Sequence, residues 1–81
     1  MNITVKYTGH LCTLTGREKE TIEVEEGKPL HYLIDILADK YEIQPLLDKG
    51  VLFLINDKIA KREQALVDGD AVHIFQMMAG G

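Results

Sequence analysis

Apolar and polar residues alternate from the start of the chain. In NITVKYTG, Ile3, Val5 and Tyr7 fall on one side of an extended backbone and Thr4, Lys6 and Thr8 on the other. Successive side chains of a strand point to opposite faces, so the pattern predicts a half-buried strand. A connection from Gly9 to Gly16 interrupts the alternation, and EKETIEVEEG resumes it with Ile22 and Val24 inward and Thr21, Glu23 and Glu25 outward. The two stretches predict an antiparallel hairpin with a long loop.

From Leu30 the period changes. Leu30, Leu33, Ile34, Leu37, Ala38 and Tyr41 recur at the spacing of one helix face. Pro29 suits the first helical position, Gln44-Pro45 bars continuation, and Lys28 stands where a capping Ser, Thr or Asp is expected. The result is one amphipathic helix of about three turns. VLFLI at 51–55 is apolar throughout and predicts a central strand covered on both faces. Asn56-Asp57 suits a tight turn, Ile59-Ala60 a short returning strand, VDGD a second turn, and AVHIFQMM the last strand.

The order is hairpin, helix, strand, short edge, strand. It predicts an α+β fold in which one helix packs on one face of a mixed four- to five-stranded sheet. The first and last strands lack the marks of an edge, so they are expected side by side in its middle. Residues 1–78 form this single domain and 79–81 are expected to be a flexible Ala-Gly-Gly tail. At 81 residues the chain is too short for a cleft between domains, which leaves any chemistry to a surface or an end.

Charge narrows the partners. A formal net charge of −4 opposes binding that depends on neutralising phosphates, so no nucleic acid is expected. The longest apolar run, Val51–Ile55, is far below the ~20 residues of a membrane-spanning helix. With one cysteine, Cys12, and no secretory pattern, a reducing cytoplasm is the expected location. His10, His31 and His73 make no metal motif, Cys12 lacks a base, and Glu18, Glu20, Glu23, Glu25 and Glu26 read as a solvated strand. No metal site is expected.

By strand parity, if Val72 and Ile74 face the helix, His73 and Phe75 face out. Phe53 joins them if Leu52 and Leu54 are core. The open sheet face is then the docking surface, and flexible, polarizable Met77 and Met78 extend it toward the end of the chain.

The element order, LVDGDAVHIF and the final Gly80-Gly81 together resemble the ubiquitin-like β-grasp fold, and more closely the MoaD/ThiS family of sulfur carriers. That family comprises the small subunit of molybdopterin synthase and the sulfur carrier of thiamin thiazole synthesis. The long LCTLTGREKETIEV segment looks like the molybdopterin subunit, whereas IND, REQ and FQMMAGG look like the thiamin carrier. Molybdopterin members often carry a proline pair where Gln76 and Met77 stand here. The resemblance favours the molybdopterin subunit by a small margin.

It implies a carrier without catalytic residues of its own, whose Gly81 carboxylate is the reactive group. An E1-like adenylating enzyme would use ATP and Mg²⁺ to form an acyl-adenylate, and sulfur from a persulfide donor would convert it to a thiocarboxylate. The large subunit of a synthase, either molybdopterin synthase or thiazole synthase, would then receive the sulfur. Ala79 and Gly80 would thread the narrow entrances of those partners, since glycine has neither side chain nor fixed φ. Two other classes share these features: a ubiquitin-like modifier that passes activated Gly81 to a lysine, and a non-covalent β-grasp binding module whose glycines are incidental.

Overall fold

The computed structural model describes residues 1–43 and 50–76. Five strands, β1 (Asn2–Tyr7), β2 (Lys19–Glu23), β3 (Val51–Ile55), β4 (Lys58–Ile59) and β5 (Ala71–Gln76), form one sheet in the order β2-β1-β5-β3-β4. Helix α2 (Leu30–Tyr41) covers one face. β1 pairs antiparallel with β2 and parallel with β5, from Thr4↔Ala71 to Tyr7↔Ile74, so the first and last strands lie at the centre as the sequence predicts.

One core results. Leu30, Leu33, Ile34, Leu37 and Ala38 of α2 are buried against Ile3, Val5, Ile22, Phe53, Ile55, Val72 and Ile74 of the sheet. Each of these side chains other than that of Ala38 contributes about 1.5–3 kcal/mol on leaving water.

The connection from Gly9 to Gly16 is not a plain loop. It contains a short helix, α1 (His10–Thr15), bounded by positive-φ glycines with φ of 68° and 76°. Leu11 fills the core, and the Thr15 hydroxyl donates back to the Leu11 carbonyl at 2.8 Å. Six residues are too few to display a helical period, which is why the pattern concealed it.

The start of α2 also differs from expectation. Pro29 is the cap residue, with φ −80° and ψ 169°, and no side chain caps the helix. The free N–H groups find backbone instead: Leu30 donates to the Gln64 carbonyl at 2.8 Å and His31 to that of Arg62 at 2.9 Å. A distant loop replaces the missing Ser or Asp, satisfying donors that would otherwise be orphaned. At the other end Glu42 takes a left-handed conformation, φ 56°, and terminates the helix ahead of Gln44 and Pro45, which lie outside the described residues.

The two turns quoted for their resemblance are bonded to each other. Asn56 and Asp57, with φ of 50° and 69°, form the two-residue β3–β4 hairpin turn. The Asn56 amide donates to the buried Asp70 carboxylate at 2.8 Å, and its carbonyl accepts from Ala71 N–H at 3.0 Å. The second Asp70 oxygen accepts from Val67 N–H at 2.9 Å. IND and DGD thus brace the Ile55↔Val72 end of the β3–β5 pairing.

Glu20 corrects the reading of a solvated acidic strand. It pairs with Val5 in register and therefore points at the helix side, where its side chain is 5% exposed. Its carboxylate accepts from the hydroxyls of Tyr7 and Tyr41 and from Lys40 at 2.8 Å, with Arg17 at 3.5 Å. Burial pushes the carboxyl up, but the hydrogen bonds from Lys40, Tyr41 and Tyr7 outweigh it and hold it below its ordinary value. Burial and the Glu20 contact raise both phenols, keeping them protonated as donors.

A carboxyl whose pKa is depressed by folding adds stability above its unfolded value, near 4.3, and loses it as pH falls through the folded value. The native chain is therefore expected to lose stability on acidification below about pH 4. Glu20→Gln should be less stable at neutral pH and show a shallower acid limb. Denaturant unfolding across pH 2–7 measures both.

Candidate functional site

The face of the sheet opposite α2 carries the candidate site. Pairing fixes its membership, because residues directly opposite each other in a sheet point the same way. Val72 and Ile74 are buried, so Ile55 and Phe53, their partners on β3, are core as well. Phe53 is 5% exposed with the Arg62 guanidinium 5.1 Å from its ring centroid, and it is not part of the docking face. Leu52 and Leu54, opposite Phe75 and His73, take that place and are half-exposed. β3 is therefore covered on one face only.

His73 and Phe75 face out as predicted and form one rigid unit. Their rings stack with centroids 4.0 Å apart and planes 28° from parallel. His73 Nε2 lies 2.6 Å from the hydroxyl of Thr8, the residue that follows β1, which anchors the imidazole there. Burial, then the nearby Lys6 charge, lower the His73 pKa, opposed by Asp57. Its neutral form is favoured at pH 7, so the pair presents a flat aromatic surface.

Register extends this unit into a row across the sheet: Ile59 on β4, Leu54 on β3, His73 on β5, Lys6 on β1 and Lys19 on β2. One end is apolar, with Ile59 72% exposed, and the other is cationic. Sequence reasoning missed Leu52, Leu54, Ile59, Lys6 and Lys19. VLFLI has no alternation to reveal its parity, and only the pairing Phe53↔Ile74 supplies it.

The patch adjoins the point where β5 ends. Gln76 closes the pairing with β3 opposite Val51, and its side-chain oxygen is 3.9 Å from where a Cβ on Gly9 would stand. Met77, Met78, Ala79, Gly80 and Gly81 lie outside the described residues. Among the described residues, no group of His, Cys, Asp and Glu is placed to hold a metal ion, and no helix is long and apolar enough to cross a membrane.

A patch of exposed aliphatic and stacked aromatic side chains beside the end of the last strand suits protein docking rather than catalysis. A family model described as the ThiS family matches residues 5–81. The chain belongs to the ThiS family. Its fold is the ubiquitin-like β-grasp, and the family is one of small sulfur carriers.

No curated protein matches the sequence. Among solved structures, a Pyrococcus furiosus protein assigned as molybdopterin converting factor subunit 1 is similar at 26% identity and TM-score 0.86, over 96% of this chain and 99% of that one. Urm1 from Trypanosoma brucei is similar at 26% identity and TM-score 0.77, over 99% and 95%. A complex of subunits 1 and 2 of the molybdopterin-converting factor from Helicobacter pylori contains a chain with the same fold, at 23% identity and TM-score 0.73 over 100% of both.

Proposed function

We propose that this ThiS-family chain is a sulfur carrier loaded at its C-terminal carboxylate, and that it serves as the small subunit of a molybdopterin-type synthase. The observation that carries the reading is the family match running to Gly81, combined with an open face whose aromatic unit ends one residue before Gln76. Likeness to the Pyrococcus furiosus subunit favours the molybdopterin branch, as does the long β1–β2 connection with α1 inside it. The Helicobacter pylori protein of this fold is found with a second subunit, and we assign this chain a synthase large subunit as partner on the same pattern.

The chemistry is set by the reactive group. A carboxylate resists nucleophiles because its charge is shared over two oxygens, so an oxygen of Gly81 must first attack the α-phosphorus of ATP. Pyrophosphate leaves and an acyl-adenylate remains. An E1-like partner with Mg²⁺ supplies that step. The outer sulfur of a donor persulfide then displaces AMP at the carbonyl carbon to give an acyl disulfide. A second thiol of the donor or the adenylating partner cleaves that S–S bond and is left in a disulfide, and the freed thiocarboxylate is consumed in the synthase. Beyond the terminal carboxylate itself, the carrier contributes only the docking face.

A second reading has its own support. Urm1 is similar over nearly the whole chain, and the same activated terminus can instead be passed to a lysine of another protein. The family match also keeps the thiamin pathway as an acceptor.

Intact-protein mass spectrometry tests the proposal on the chain purified from cells that hold its adenylating enzyme and sulfur donor. The expected result is a mass gain equal to exchanging one oxygen for sulfur. Higher-mass covalent adducts in its place would favour the modifier. Neither species, with no trappable adenylate, would overturn both and leave the non-covalent binding module.

A further inference from the structure

The cationic end of the open face holds a feature that stability does not explain. Lys6 and Lys19 are directly opposite each other on the antiparallel pair β1–β2, a position where like charges repel. Lysine on an edge strand is an ordinary guard against aggregation, and β2 is an edge. That account covers Lys19 but not Lys6, since β1 is flanked on both sides. Lys28, Lys40 and Arg17 each have a carboxylate at 3.7, 2.8 and 3.5 Å, whereas Lys6 and Lys19 have no ion pair among the described residues. Two positive charges are thus held together on a chain whose net charge is −4.

They line one cleft of about 440 Å³ with Thr8, Cys12, Glu18 and His73. Glu18 is the only acid in that lining and bridges neither lysine. The register places this cleft in the same row as Leu54 and Ile59. With strands about 4.8 Å apart, Lys6 and Lys19 lie roughly 10 and 14 Å from Leu54 across the sheet.

We propose that the Lys6–Lys19 cleft receives an acidic segment of the adenylating partner: an apolar side chain of that partner sits on Leu54 and Phe75, and one or more Asp or Glu carboxylates about 10–14 Å away enter between the two ammonium groups. This rests on the reading of the open face as a docking surface, and it adds the chemistry of the occupant. Bringing a carboxylate between the lysines relieves their repulsion on binding, so the same pair that weakens the free sheet strengthens the complex. Its field also steers the encounter, which makes the association rate dependent on salt.

The experiment measures association of the full chain with its adenylating enzyme at low and high salt, alongside thermal unfolding of each variant. Lys6→Glu with Lys19→Glu should slow association about tenfold or more at low salt, with the difference from the native chain shrinking at high salt. Lys6→Glu alone creates an attractive cross-strand pair, so it should raise the melting temperature while still slowing association. A purely structural role would move both in the same direction, and that result would overturn the proposal.

Leu54→Gln with Phe75→Ala tests the underlying docking surface separately. If this variant loses binding while the lysine reversals do not, the acidic segment is wrong and the docking face stands. If none of the variants changes association, both fall together.

Discussion

Removing Gly81 should take sulfur loading from complete to undetectable while leaving the unfolding transition unchanged. The truncated chain still ends in a glycine carboxylate, so the chemistry of the group is intact. What changes is reach: one extended residue spans about 3.3–3.6 Å, and misplacement by about 1 Å can already cost on the order of 100-fold in rate. The fold is indifferent because the core and the pairing of β5 with β3 are complete by Gln76. Gly80→Ala should lower loading less severely, through a methyl group that a narrow entrance must accommodate and a φ range it no longer shares with glycine. Intact mass after incubation with the adenylating enzyme and sulfur donor, paired with thermal melts, reads both variants. Full loading of the truncated chain would show that the adenylating partner does not depend on the reach of the tail.

The largest effect on stability is expected from Phe53→Ala. Phe53 is 5% exposed, belongs to the single core and lies under the Arg62 guanidinium. Truncating a buried phenylalanine costs about 3–5 kcal/mol, a large part of the roughly 5–15 kcal/mol that holds a small domain together. For a domain of this size that is a fall of about 15–30 °C in melting temperature. Leu52→Ala, one residue away on the open face, should cost no more than about 1 kcal/mol. The contrast is read by thermal unfolding, and equal losses at 52 and 53 would contradict the assignment of faces.

That pair of neighbours shows where the sequence was legible and where it was not. β1 and β5 alternate, so Ile3, Val5, Tyr7, Val72 and Ile74 identify the core face without a structure, and His73 and Phe75 follow as the outward pair. The α2 face is as plain, since a polar remainder surrounds its apolar residues. β3 has no such contrast: every side chain in VLFLI is compatible with burial, and only pairing to β5 decides which are core. Glu20 was hidden for a related reason. Its charge predicts solvent, yet its strand parity aims it at Tyr7 and Tyr41, whose partners come from elements 13 and 21 residues away. Long-range satisfaction of a carboxylate leaves no local trace. The same holds for the start of α2, which looks uncapped because its acceptors are backbone carbonyls of residues 62 and 64.

The central parallel pair has a mechanical consequence. Asn2 opens β1 and Gln76 closes β5, at opposite ends of two strands that run the same way and are each paired on both sides. Tension applied between the two ends of the domain acts along these strands, so their cross-strand bonds resist sliding together instead of parting one after another from an edge. A pull applied at the end of β5 would therefore load the whole sheet instead of unzipping it from an edge.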